Sequence, residues 1–242
     1  MKAVLQLTDL HIFEDAGRTM LPIDTKQSFQ QVLTKALEHA DDWDLVVLSG
    51  DLADLGEEQS YVWLAAQLKN LSIPAVALPG NHDDRELMGK YFDCATSLQL
   101  GAWQLCLLDS CVPPSTKGQL GDDQLAALHA SRRNHPERPH LVFLHHPPVL
   151  LGSSWMDGMG LSNAAVLWDC MKHVDTPTTL VAGHAHQNFD VYHNGVRVLV
   201  TPSTCTQFVP RTTRFALDSR TAGFRRLELY DDGHLKTSVV RV

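Results

Sequence analysis

The chain has 242 residues, 44% of them hydrophobic and 20% charged, which excludes a dominantly disordered state and provides for a full apolar core. Lys and Arg total 20 against 28 Asp and Glu, a formal charge of -8 that argues against a nucleic-acid backbone binder. A negatively charged ligand must then be held by something other than bulk charge, and metal ions are the obvious candidate.

Residues 2–8 read as a strand that ends at Asp9. Asp24 occupies the N-cap position of a helix, and Phe29, Val32, Leu33, Ala36, Leu37 and Ala40 follow at helical spacing. The apolar run 45–48 stops at Ser49-Gly50-Asp51, and a second helix carries Tyr61, Leu64, Ala65 and Leu68 on one face. Residues 75–78 form another buried strand, closed by Pro79-Gly80. The rhythm continues with a strand at 103–108, a helix at 122–129, a strand at 141–144, a helix at 163–173 and a strand at 180–182. Strands alternating with helices of this length predict α/β layering. After that the pattern changes. Asn194-Gly195 separates 189–192 from 196–200, and Asp232-Gly233 separates 224–229 from 235–240, two hairpin signals. We expect one domain over 1–242 with two sheets, the hairpin region 187–242 completing the second.

Five cysteines (Cys94, Cys106, Cys111, Cys170 and Cys205) are scattered and form no C-x-x-C pair. Such usage predicts reduced thiols and a cytoplasmic protein. The N-terminal apolar run is too short for a signal peptide, and no stretch nears the roughly 20 apolar residues that span a bilayer. We therefore expect no membrane association and no nucleic-acid partner; oligomeric state is left open. The unusual feature is the 13 histidines.

Five polar clusters each follow a predicted strand: Asp9-Leu10-His11, Gly50-Asp51, Gly80-Asn81-His82-Asp83, His145-His146 and Gly183-His184-Ala185-His186. Singly, most are ordinary strand-to-turn exits. Together they are different, because in layered α/β folds the groups at the strands' carboxyl ends converge on one rim. Carboxylate, carboxamide and imidazole supply oxygen and nitrogen ligands for Mn, Fe or Zn, with no thiolate among them. In the D-x-H and H-x-H spacings, residues i and i+2 of an extended segment point the same way, so both can face one site. Gly50, Gly80 and Gly183 stand where a tight turn or a close backbone approach favours a residue without Cβ.

The series D-x-H, G-D, G-N-H-D, H and G-H-x-H resembles the signature of the calcineurin-like metallophosphoesterases, over a span from Asp9 to His186. The resemblance implies a four-layer α/β/β/α sandwich of two mixed sheets with a dinuclear metal centre at one rim. It assigns one metal to Asp9, His11, Asp51 and His186, and the second to Asp51, Asn81, His145 and His184, with Asp51 bridging. His82 matches the family's catalytic histidine that contacts the substrate phosphate, and Asp83 its orienting partner. His11, Asp51, Asn81, His82 and His186 would border the substrate. The ions would be Fe or Mn, with Zn an alternative.

A narrower similarity, to bacterial class III cyclic-AMP phosphodiesterases, lies in 201–208, Pro210, Gly223-Phe224-Arg225 and 152–157, with Ala222 where that family usually has Pro. It implies hydrolysis of 3′,5′-cyclic AMP to 5′-AMP by a hydroxide shared between the two ions. Two alternatives stay open: a broader phosphodiesterase or phosphomonoesterase on the same fold, and a non-catalytic metal-binding scaffold. No G-x-S-x-G elbow, P-loop or G-x-G-x-x-G is present. His146 either supports a metal ligand from behind or packs at a strand end. Trp155 and Phe208 either pack or stack on a base. His39, His129, His135, His140, His173, His193 and His234 are expected on solvated surface.

Overall fold

Apolar runs buried on both faces form the central strands, and the helical-period segments cover them. The computed structural model describes residues 1–15, 17–40, 42–172 and 176–242. Its strands begin with β1 (Lys2–Leu7), β2 (Thr19–Met20), β3 (Ile23–Asp24), β4 (Leu45–Ser49), β5 (Ala75–Leu78), β6 (Ser97–Leu100) and β7 (Trp103–Leu108). They continue as β8 (His140–Leu144), β9 (Thr178–Ala182), β10 (Phe189–His193), β11 (Val196–Val200), β12 (Gly223–Leu229) and β13 (Leu235–Arg241). The α-helices are α1 (Thr25–His39), α2 (Glu58–Leu68), α3 (Arg85–Met88), α4 (Asp122–Asn134), α5 (Ser154–Asp157) and α6 (Ala164–Met171). Asp24 caps α1 by accepting from Gln27 N. Helix α4 runs further than the predicted 129. Of the predicted helix 163–173, the end at His173 lies outside the described residues.

One sheet has the order β13-β12-β1-β4-β5, and the other β10-β11-β9-β8-β7-β6. Within them β1-β4-β5 and β11-β9-β8-β7 pair in parallel, while β12, β13, β10 and β6 join antiparallel. Val4, Val47 and Val76 of the first sheet pack against Leu105, Leu141, Phe143 and Val181 of the second. Phe29 and Val32 of α1 and Tyr61 and Leu64 of α2 cover the first sheet's outer face. Leu125 and Leu128 of α4 and Leu167 of α6 cover the second's. The architecture is a four-layer α/β/β/α sandwich of two mixed sheets.

The two C-terminal hairpins do not complete one sheet, as the sequence suggested, but divide between the two. β10-β11 extends the second sheet, whereas β12 lies beside β1 in register from Lys2↔Leu229 to Gln6↔Arg225. The physical reason is the free edge of β1: its other edge is taken by β4, and β12 is a strand buried on both faces. Among the described residues no helix is long and apolar enough to cross a membrane. All five cysteines are free thiols. His140 corrects the surface expectation, being fully buried on β8, where its side chain bonds the Arg138 carbonyl at 2.8 Å. His39, His129, His193 and His234 are exposed and His135 half-buried.

Towards the carboxyl ends of the strands the layer between the sheets turns polar. Gln6 Nε2 donates to Ser49 Oγ at 2.8 Å, and Thr201 Oγ1 donates to Gln6 Oε1 at 2.5 Å. Arg225, buried on β12, crosses between the sheets. Its Nε donates to Thr201 Oγ1 at 2.9 Å, and its Nη2 to Val200 O at 2.9 Å and Asn188 Oδ1 at 2.8 Å. Burial pushes its guanidinium down to about 10. Arg225→Met should therefore lower stability by about 3 kcal/mol in urea unfolding, since it strands several buried acceptors. Arg225→Lys, with no fork of donors, should recover only part of the loss.

Candidate metal centre

All five polar clusters lie at the carboxyl ends of strands, β1 and β4 and β5 in one sheet, β8 and β9 in the other. The loops lock to one another through backbone hydrogen bonds. Asp9 N donates to Gly50 O at 2.9 Å, His11 N to Asp51 O at 2.9 Å, and Gly183 N to His145 O at 3.0 Å. A Cβ on Gly80 would run into the Asp51 carboxylate and backbone, and one on Gly183 into Thr8 Oγ1. Both glycines are therefore required by close approach.

Asp9, His11, Asp51, His184 and His186 all have left-handed backbones, with φ of 53°, 49°, 52°, 65° and 49°. The D-x-H and H-x-H segments are thus not extended, as the spacing suggested. Left-handed residues on either side turn the flanking side chains to the rim and send the middle ones, Leu10 and Ala185, into the core at 0% exposure. Each such residue costs on the order of 1–3 kcal/mol, sustained by the locked loops around it.

The side chains converge. Asp51 Oδ2 lies 3.2 Å from His145 Nε2 and 3.7 Å from His11 Nε2, while its Oδ1 accepts the His82 N–H at 3.0 Å. Asp9 Oδ1 accepts the His184 N–H at 2.9 Å and lies 3.4 Å from His186 Nε2 and 3.9 Å from His145 Nε2. His11 Nε2 and His186 Nε2 are 3.2 Å apart. Asp9–His11–His186 and Asp9–Asp51–His145 each form a close cluster of donor atoms. The ring nitrogens are directed from behind. His145 Nδ1 donates to Ser49 O at 3.0 Å and His186 Nδ1 to Thr206 O at 2.7 Å, so each presents Nε2 to the rim. Among the described residues, His184 Nε2 and Asn81 Oδ1 are buried with no hydrogen-bond partner. Buried polar atoms of that kind fit metal ions.

Electrostatics separates the groups. Burial opposes charge on Asp9 and Asp51, yet the facing imidazoles hold both carboxyls below the usual range, Asp51 well below. Burial likewise opposes a proton on His145, and the Asp51 and Asp9 charges overcome it, raising the imidazole to about 9. His184 goes the other way. Burial beside His145 pushes it down to about 3, leaving a neutral imidazole.

His82 projects half-exposed beside His11, ring centroids 4.8 Å apart, and its Nδ1 bonds the Asp54 main-chain carbonyl at 2.7 Å. Asp83 does not orient it, which corrects the expectation. Asp83 Oδ1 accepts from Leu52 N, Ala53 N and Tyr61 OH, each at 3.0 Å, and Oδ2 from Gly80 N at 2.9 Å. Its carboxylate is spent on fastening the β4 and β5 loops together. Burial and the charge on Asp51 raise its carboxyl from the usual range, against the pull of those N–H groups. The residue beside His82 that sequence reasoning missed is Asp54, whose Oδ1 also takes His11 Nδ1 at 2.9 Å. The available signal was a second acid three residues after Asp51.

His146 is fully buried, with Nδ1 2.8 Å from Ser110 Oγ and its ring 4.7 Å from that of His184. Phe208 is buried and stacks on His186 at 4.3 Å and 12°, and Trp155 meets Phe208 edge-on at 5.4 Å.

A rim of buried carboxylates and imidazoles between two mixed sheets defines a metal-dependent phosphoesterase. The chain belongs to the calcineurin-like phosphoesterase family, whose model matches residues 2–188. Over 99% of its length it is 37% identical to 3′,5′-cyclic adenosine monophosphate phosphodiesterase CpdA of Pseudomonas aeruginosa, and 38% identical to CpdA of Escherichia coli K12, covering 89% of each. It is also 34% identical to the 3′,5′-cyclic-nucleotide phosphodiesterase alr5338 of a Nostoc species, covering 92% of that protein. Among solved structures, a dimetal phosphatase from Danio rerio shares the fold with a TM-score of 0.68, covering 95% of this chain and 93% of that one at 15% identity.

The Asp83 contacts predict a stability defect. Asp83→Ala leaves three enclosed N–H groups and the Tyr61 hydroxyl without their acceptor and should cost about 3–5 kcal/mol in urea unfolding. Were Asp83 instead the partner of His82, the same change would lower kcat and leave the unfolding midpoint in place.

Proposed function

We propose that the chain hydrolyses 3′,5′-cyclic AMP to 5′-AMP with two metal ions held by Asp9, His11, Asp51 and His186 on one side and Asp51, Asn81, His145 and His184 on the other. The observation that carries the substrate is the match to relatives named for that reaction, at 37% and 38% identity over 99% of this chain. That span includes the segments outside the metal rim, 152–157 and 201–208 and 223–225, as well as the ligands. The donor set supports the metals. It combines carboxylate, carboxamide and imidazole without thiolate, which suits Fe or Mn and also accepts Zn. A cytoplasmic home belongs to the same reading, supported by five free thiols.

Bound at this rim, such a metal pair lowers the pKa of water and offsets charge on the phosphoryl oxygens. The protein's own groups supply position and protons. Asp51, between His145 and His11, fits the bridging place, and its Oδ1 grip on the His82 N–H fixes the phosphate-contact residue to it. His82 Nδ1–H donates to the Asp54 carbonyl, so Nε2 faces outward and can hydrogen-bond a phosphoryl or leaving oxygen. Burial disfavours a proton on His82, but the charges on Asp51 and Asp54 and the bond to the Asp54 carbonyl outweigh it and raise the imidazole above its ordinary range. His82 is therefore disposed to deliver a proton to the departing 3′ oxygen.

The test is a turnover panel on metal-loaded protein: cyclic AMP, cyclic GMP, 2′,3′-cyclic AMP and 4-nitrophenyl phosphate. The highest kcat/KM is expected for 3′,5′-cyclic AMP, and an equal or higher value for the monoester would replace this reading with a broad phosphoesterase. Asp51→Asn should abolish turnover and metal retention together. His82→Ala should cut kcat by about 10²–10⁴-fold with metal content unchanged.

A further inference from the structure

We propose that the cleft beside His82 seats the nucleoside, with Arg85 and Leu55 as the residues that hold its base. The inference deepens the cyclic-AMP reading and rests on it. A cavity of about 510 Å³ opens against His82, a size within the range of small-molecule sites. Its walls come from three loops at the carboxyl ends of strands: Leu55 after β4, His82 and Arg85 after β5, and Cys111 and Pro113 after β7. Both sheets contribute a wall, at the place where layered α/β folds bind ligands.

The chemistry puts the nucleoside on this side. In an in-line displacement the attacking oxygen enters opposite the departing one. In 3′,5′-cyclic AMP the departing 3′ oxygen stays on the ribose that carries adenine. The group that protonates that oxygen and the nucleoside therefore lie on the same side of phosphorus, and His82 is that group. The phosphate charge goes to the rim. The cleft itself combines one cation, Arg85, with three acids, Asp83, Asp84 and Glu86, so it suits an uncharged sugar and base and not a second phosphate.

The walls are fixed in place. Arg85 Nη2 donates to Cys111 O at 2.9 Å and lies 3.0 Å from Asp109 Oδ2. Cys111 Sγ donates to Pro79 O at 3.1 Å, which ties the loop after β7 to the loop after β5. A guanidinium fastened in this way is a preset plane for stacking on a purine. Leu55 is 53% exposed, yet its turn is held. Gly56 follows with φ +65°, and a Cβ there would stand 3.1 Å from Asp84 N. A leucine exposed on a fixed turn loses water contact when a base covers it. The competing platform is aromatic. Trp155 and Phe215 meet Phe208 edge-on at 5.4 and 5.2 Å, but Phe208 stacks on His186, not on His82.

The experiment titrates 5′-AMP and, separately, orthophosphate into Mn²⁺-loaded protein by calorimetry, with KM for cyclic AMP measured alongside. Arg85→Met should weaken 5′-AMP binding by about 5–30-fold, the loss of a cation stacked on a ring. Leu55→Ser should weaken it by about 3–10-fold, from lost apolar contact. In both, KM should rise in step while orthophosphate affinity and bound manganese keep their parental values. Arg85→Lys keeps the charge towards Asp109, which guards against a loosened loop, and without the plane it should recover little of the affinity. Full recovery in Arg85→Lys would overturn the role given to the guanidinium. Equal weakening of 5′-AMP and orthophosphate would overturn the proposal, and so would a larger loss in Phe215→Ala than in either cleft variant. A parent that cleaves cyclic AMP, with both cleft variants binding 5′-AMP as tightly as it does, sinks the cleft and leaves the substrate reading standing. A parent that does not cleave cyclic AMP sinks both.

Discussion

Two buried carboxylates at the junction of the sheets set the terms for everything around them. Asp9 is 0% and Asp51 2% exposed, and among the described residues neither has a Lys or Arg against it. Burying two like charges is expensive unless positive charge stands beside them. The partners on hand are imidazoles, of which His145 is raised to about 9 by those carboxylates while His184 is held neutral at about 3. An arrangement with ring nitrogens aimed inward, carboxylates unprotonated and a neutral buried imidazole without a partner is stable and useful when cations occupy it. That is the physical content of the family membership.

Strand placement does the gathering, and backbone strain does the aiming. Parallel β1, β4 and β5 in one sheet and β8 and β9 in the other send their exits to a common rim. At that rim five of the seven candidate ligands adopt a left-handed backbone. Strain of this kind needs rigid surroundings, supplied by Asp83 across the β4 and β5 loops and by Arg225 across the sheets. Stability and function are therefore drawn from adjacent residues. Those that face the metals are strained, and those just behind them carry the hydrogen bonds that hold the strain.

Much of this was legible in the sequence. The strand runs and the cluster after each one identify the rim, because polar residues that repeatedly follow buried strands have few other reasons to be there. The α/β layering was readable from period alone, although the layer count came only through resemblance. What could not be read were choices made in three dimensions. Both C-terminal hairpins carry the same alternation and turn signals, and nothing local says that β12 will take the open edge of β1. Asp83 follows His82 in sequence and looks like its partner, yet hydrogen-bond direction in a tight turn depends on φ and ψ. The partner is Asp54, from another loop. The left-handed turns of D-x-H were hidden for the same reason, since an extended segment gives the same alternation. His140 was misjudged because one polar residue at the start of a buried strand resembles a loop residue. The short β6, with alternating exposure and few apolar residues, gave no signal of its own.

The most direct test of the account is anomalous diffraction from crystals grown with Mn²⁺. It predicts two peaks about 3.5–4 Å apart at the rim. One should be bounded by Asp9, His11 and His186, the other by Asn81, His145 and His184, with Asp51 touching both. No peak at that rim, or manganese bound only elsewhere on the molecule, would contradict it.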